Sequence, residues 1–104
     1  MAQMNMQKMM QQAMKMQQQL EQVQEGLKDI AVSASAGGGM VKVEGTADMR
    51  LTSVTIDPEA LDPDDVELLQ DMIVAAVNTM LESAQETQGR QMSGVTGGLN
   101  IPGL

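Results

Sequence analysis

Residues 38–81, GGMVKVEGTADMRLTSVTIDPEALDPDDVELLQDMIVAAVNTML, change their hydrophobic period partway along, and that change sets the fold. Val41 and Val43 alternate with Lys42 and Glu44, while Leu51, Val54 and Ile56 are interleaved with Thr and Ser. Period-two patterns of this kind belong to strands with one buried face. Beyond an acidic loop that opens with Asp57-Pro58-Glu59, the residues Val66, Leu69, Ile73, Val77, Met80 and Ala84 recur at helical spacing. Leu68, Met72 and Ala76 widen that stripe beyond what one small sheet needs to cover it. Asp62 reads as the N-cap of this helix, Pro63 as its first residue and Asp65 as the capping-box carboxylate. Asp64, Asp65 and Glu67 also suit the positive end of the helix dipole. The spacing predicts a helix over 63–88, with Gly89 as its C-cap.

Upstream, residues 3–30 contain no Pro and a single Gly, Gly26, and are dominated by Gln, Met, Lys, Leu and Glu, all good helix formers. Ala2, Met6, Met9, Ala13, Met16, Leu20, Val23, Leu27 and Ile30 follow steps of four and three, an a/d seam about four heptads long. A coiled-coil-like contact follows from it, and Met16, Leu20, Val23 and Leu27, with Leu69, Ile73 and Val77 of the second helix, are the expected core and dimer-contact residues. Met4, Met10 and Met14 form a second apolar strip. Between the helices, segments 31–36, 40–46 and 49–56 read as the three strands of an antiparallel meander, turned at Gly37-Gly38-Gly39 and at Thr46-Ala47-Asp48. The fold class is α+β, in the order αβββα, with the sheet between two long helices. Residues 92–104 read as a flexible Gly-rich tail, leaving 1–91 as a single domain.

Composition removes most chemistry. The chain of 104 residues has no Cys, His, Phe, Tyr or Trp. Ser/His and Cys/His nucleophiles and the usual zinc sites therefore cannot be built, so no enzyme, cofactor, metal or small-molecule substrate is expected. The absence of Cys suits a reducing cytosol. The carboxylates of 57–65 lack the ligand spacing of an EF-hand, and helix capping accounts for them. Methionine thioethers can ligate Cu(I), yet with no His or Cys beside them packing is the preferred reading. The three glycines lack the lysine and following helix of a phosphate-binding loop. The longest apolar run, 72–77, is far short of the ~20 residues that span a bilayer, and residues 1–20 hold no signal-peptide core, so no membrane is expected. A lone chain of this size buries only about 60–65% of its unfolded surface. Without aromatics it is expected to need a second copy of itself.

The formal charge of −8 opposes a simple phosphate-binding role. Its distribution softens that objection. Residues 1–20 hold Lys8 and Lys15 and no acid, whereas 57–71 hold seven of the fourteen carboxylates and no base. No helix carries a basic stripe, and no aromatic side chain can stack on bases. The residues alone lead to an acidic, cytosolic, homodimeric interaction protein.

The run G-x-VKV at 39–43, then VTIDPEALDPDDVELLQD at 54–71 and VAAVN at 74–78, resembles the YbaB/EbfC family of small bacterial nucleoid-associated proteins. The resemblance continues through Glu86-Thr87-Gln88 and Met92 to TGGLNIPGL at 96–104, and the first helix fits it in composition. Many members carry an Asn-Gly type hairpin turn where this chain has Thr46-Ala47-Asp48. The resemblance implies a tweezer-like homodimer that binds double-stranded DNA in the nucleoid, alters its conformation and takes part in nucleoid organisation and gene regulation. The arms would be the start of the first helix and the end of the second, which makes Lys8, Lys15 and Arg90 the candidate DNA contacts. A competing reading is a coiled-coil chaperone or adaptor for protein partners, since two helical arms on a small β body loosely resemble prefoldin subunits.

Overall fold

Helix α1 (Ala2–Leu27) leads into strands β1 (Ala31–Ala36), β2 (Val41–Thr46) and β3 (Arg50–Ile56). A 3-10 turn at Pro58–Ala60 then precedes helix α2 (Val66–Gly97). The structure, a computed structural model, describes the backbone of residues 2–97 and the side chains of 5–94. Two helices and a three-stranded antiparallel sheet in the order β1-β2-β3 make up the expected αβββα architecture.

Register shows why the strands are written as they are. Val41 pairs with Ala36 and Ile56, Val43 with Ala34 and Val54, and Gly45 with Val32 and Leu51. Partners across an antiparallel pair share a face, so all of these lie on one side of the sheet. The other face is polar: Ser33, Ser35, Lys42, Glu44, Ser53 and Thr55. Leu51 and Val54 are three residues apart, a spacing that would put them on opposite faces of a regular strand. A bulge opposite Glu44/Gly45 takes up Thr52 and returns Leu51 to the apolar side.

Helix α2 lies over β1 and β2. Val32, Val41, Val43, Ala76, Met80 and Ala84 form the centre of the core, and Leu69, Ile73 and Val77 pack partly buried around it. Small side chains on α2 let the helix approach, and Gly45 completes the fit. A Cβ at Gly45 would collide with the Arg50 carbonyl and stand 2.6 Å from Met80 Sδ. The opposite end of the sheet turns through Gly37, Gly38 and Gly39, all at positive φ, a conformation glycine adopts without steric cost. At the second hairpin Met49 takes the left-handed conformation (φ 70°), where an Asn-Gly type turn would place glycine.

Several element ends differ from the sequence-based expectation. α1 stops at Leu27 rather than residue 30: the Asp29 and Ile30 N–H groups donate three residues back, to the Gly26 and Leu27 carbonyls at 3.1 and 3.2 Å, and the Ile30 carbonyl accepts the Ala47 N–H at 2.9 Å. α2 begins at Val66 rather than Pro63. Asp62 Oδ1 accepts the Asp64 N–H at 2.9 Å and so closes a turn, and it is Asp65 whose Oδ1 accepts the Leu68 N–H, at 3.3 Å, in the N-cap position. Asp57 caps the 3-10 turn in the same manner, through the Glu59 N–H at 2.9 Å. α2 also runs through Gly89 and Gly94 to Gly97, so the expected C-cap is interior and 92–97 are helical rather than part of a flexible tail. Residues 98–104 lie outside the described residues. A helical glycine costs only about 1 kcal/mol relative to alanine, and the contacts of this stretch outweigh it. Thr87 is buried there, and Gln88 Nε2 donates to the Ala47 carbonyl at 2.7 Å.

Candidate nucleic-acid interface

Ile30, Ala47 and Gln88 join the end of α1, the β2–β3 turn and α2 at one end of the sheet. Gly37 and Met72 meet at the other end, beside the acidic loop and the start of α2. The sixteen helical steps of α2 from Met72 to Gln88 separate these ends by about 24 Å at 1.5 Å per step. All seven carboxylates of 57–71 therefore belong to the far end, whereas Lys8, Lys15 and Arg90 lie on the helices beyond the near end. The molecule is elongated, 76 × 26 × 16 Å, so like-signed groups are spread along its length. Exposed charges farther apart than the Debye length of about 8 Å at physiological salt are largely screened from one another. The acidic end thus opposes a polyanion at the helical end far less than the net charge suggests.

α1 divides in two. Met16, Leu20 and Val23 are half-buried and Leu27 is buried, so the second half of the seam packs within the chain. Every side chain from Asn5 to Lys15 is exposed, including Met6, Met9 and Ala13 of the same seam. Only about half of the expected four-heptad contact is made within one chain. The N-terminal half forms a single-helix arm, roughly 21 Å long over residues 2–15. Next to it, Lys15, Met16, Gln19 and Val23 of α1 line a groove with Gln91 and Gly94 of α2.

Lys8 and Lys15 stand one heptad apart and line a shallow surface with Gln11, Gln12, Met14 and Gln18. The sequence reading saw no basic stripe, but this is a short one. The signal was present in the Lys8-Gln11-Gln12-Lys15 spacing of three, four and seven, which sets all four on one helix face. The glutamine amides on that face can both donate to phosphates and accept from bases. Neither lysine has a hydrogen bond or ion pair among the described residues, where the sole ion pair is Lys28–Glu25 at 3.3 Å. Arg90 is exposed but folded onto its own helix. Its Nη2 donates to Thr87 Oγ1 at 3.1 Å, and that hydroxyl donates to the Ser83 carbonyl at 2.8 Å. Arg90 lines neither the groove nor the lysine surface.

The other site the sequence did not reveal lies on β3. α2 covers the inner face of β1 and β2 but leaves Leu51 and Val54 44% and 41% exposed beside the enclosed Val43. Leu61, Val66, Leu68 and Val74 are exposed too. Leu51 and Val54 were expected in half-buried strands, Val66 in the helical stripe and Leu68 beside it, and they stand uncovered within one chain. Among the described residues no helix is long and apolar enough to cross a membrane, and no group of three or more acidic side chains could hold a metal ion.

The model of the YbaB/EbfC DNA-binding family matches residues 1–99. Among curated proteins, a "Nucleoid-associated protein" of Pelotomaculum thermopropionicum is 52% identical over 100 residues, covering 96% of this chain and 95% of its own. A protein of the same description from Acetivibrio thermocellus is 52% identical over 101 residues, covering 96% of this chain and 89% of its own. Of solved structures, an uncharacterized protein from Helicobacter pylori superposes with a TM-score of 0.75 at 24% identity, over 85% of this chain and 92% of that one.

Proposed function

This chain belongs to the YbaB/EbfC DNA-binding family, and we propose that its DNA-binding, nucleoid-associated function is exercised through the α1 arm and the adjoining end of α2. The observation that carries this reading is the unopposed pair Lys8 and Lys15 on one face of an exposed helix, at the end of the molecule remote from the acidic loop. Each lysine seated on a phosphate releases condensed counterions, and the glutamines between them add sequence-tolerant hydrogen bonds. Arg90 and Gln91 extend the polar surface along α2. With no aromatic wedge and few cations, contact is weak and follows backbone shape rather than base identity.

The working unit in this reading is a homodimer. The apolar column Leu51, Val54 and Ile56 continues the core face of the sheet past the edge of α2, and a second copy is the natural cover for it. Pairing doubles the number of arms, and two arms on one body can hold a duplex and change its path. The protein acts without catalysis, in the nucleoid of the bacterial cytoplasm. The alternative reading, a chaperone or adaptor, is favoured by one observation, the exposed methionines of the arm, and suppression of aggregation by a client protein at high salt would support it.

The test is a titration of duplex DNA at low and at physiological salt, with solution mass recorded alongside. Wild type should run as a dimer and bind in a salt-sensitive manner. Lys8→Glu/Lys15→Glu should weaken low-salt binding about tenfold or more by removing positive charge from the phosphate contact, while Lys42→Glu on the sheet should bind as wild type does. Unchanged binding by the double variant would remove the arm from the interface.

A further inference from the structure

The molecule holds twelve methionines and no Cys, His, Trp or Tyr, so thioether sulfur is its only side-chain group readily oxidised by two electrons. Exposure divides these sulfurs sharply. Met6, Met9, Met10 and Met14 are 63%, 67%, 64% and 61% exposed, while Met80 is 0% exposed under the sheet. Met49, in the β2–β3 turn, is 38% exposed, and Met16, Met40, Met72 and Met92 are half-buried. The four most exposed methionines among the described residues fall within nine positions of one arm, where Met6–Met10 and Met10–Met14 are i,i+4 neighbours on a shared face.

We propose that this methionine ladder is an oxidant-sensitive modification site, and that sulfoxide formation on it unwinds the arm while leaving the body folded. The co-reactant is a hydroperoxide. The thioether sulfur attacks its terminal oxygen, an S–O bond forms as the O–O bond breaks, and sulfur loses two electrons. The peroxide is reduced to the corresponding alcohol or water, the hydroperoxide proton passing to the departing oxygen. The product is a polar, chiral sulfoxide in place of a flexible apolar side chain.

The arm is built to respond. From Asn5 to Lys15 no side chain is buried, so the helix there depends on local propensity and on neighbours one turn away. Isolated helices of this length are marginal in water, and the first turn of α1 has no acidic residue to stabilise it. Sulfoxides at four of these positions remove the apolar i,i+4 pairs and add groups that compete for backbone hydrogen bonds. In the body, Met80 is shielded by Gly45, Arg50 and the sheet and cannot be reached without unfolding. The inference does not depend on what the arm binds.

Limited treatment of the full-length protein with hydrogen peroxide, followed by peptide mass spectrometry, gives the first readout. Met6, Met9, Met10 and Met14 should oxidise at least about tenfold faster than Met80, with the difference vanishing in denaturant. Far-UV circular dichroism gives the second. The oxidised protein should lose roughly a quarter of its helical ellipticity, the share that residues 2–15 hold of α1 (26 residues) and α2 (32 residues). A Met6→Leu/Met9→Leu/Met10→Leu/Met14→Leu variant, which keeps an apolar and helix-favouring ladder, should keep its ellipticity under the same treatment. Methionine sulfoxide reductase should restore the loss in wild type. Equal oxidation of Met80 and the arm in the native protein, or an equal loss of ellipticity in the leucine variant, would overturn the proposal.

Discussion

Along α2, Met80 is enclosed against Gly45 and the sheet, whereas along α1 four methionines stand in solvent within nine residues. The two helices differ in what holds them. α2 contains several glycines and β-branched residues, yet runs unbroken for 32 residues because Leu69, Met72, Ile73, Ala76, Met80 and Ala84 pack on β1 and β2. The first half of α1 has near-ideal helix formers, and its side chains from Asn5 to Lys15 are all exposed. One helix is specified by packing and the other by propensity, so equivalent substitutions should have unequal consequences.

The largest effect is expected where the body is tightest. Gly45→Ala drives a methyl group into the Arg50 carbonyl and Met80, and should cost about 3 kcal/mol as the hairpin shifts to relieve it. Met80→Ala, which leaves a cavity at the same spot, should cost a similar amount, about 3 kcal/mol. Urea unfolding at one fixed protein concentration measures both. Next comes the apolar column of β3. Leu51→Lys/Val54→Lys should halve the mass seen by sedimentation without abolishing the far-UV spectrum of the separated chain, and a persistent dimer would place the interface elsewhere.

Smaller effects test the details of the helix and turn. Asp65→Ala should cost about 1 kcal/mol through loss of the α2 N-cap, and Asp62→Ala, which only opens a turn, about half of that. The reverse order would return the helix start to Pro63. Met49→Asn should raise stability by about 0.5 kcal/mol, because asparagine tolerates the left-handed conformation that Met49 is held in. Last, Met9→Gln in the arm should change body stability by less than about 0.5 kcal/mol, in contrast to Met80. A large loss there would mean that the arm is packed in the working assembly.

Much of this was legible beforehand. The alternation of Val41 and Val43, the stripe from Leu69 to Ala84 and the glycines at 37–39 led to the right elements in the right order, since burial of one face demands those periods. Met16 to Leu27 were read as part of one four-heptad seam, and nothing in the heptad repeat marked where burial within the chain begins. Lys8 and Lys15 were read as candidate contacts, and their shared face with Gln11 and Gln12 needed only the helix period to see. Arg90's bond to Thr87 could not be seen, because it depends on which rotamer the neighbouring hydroxyl leaves open.

Sequence alone determined the αβββα order, the acid-free first twenty residues, the concentration of carboxylates at 57–71 and the kinship carried by the IDPE, LDP and VAAVN runs. Tertiary structure decided the continuation of α2 through Gly89, its start at Val66, the bulge at Thr52 and the uncovered apolar column of β3. Patterns of apolar residues are repeated over many positions, and their burial energies add. Element ends and bulges turn on local preferences of about 1 kcal/mol or less, which a single packing contact or hydrogen bond from a distant part of the chain can reverse.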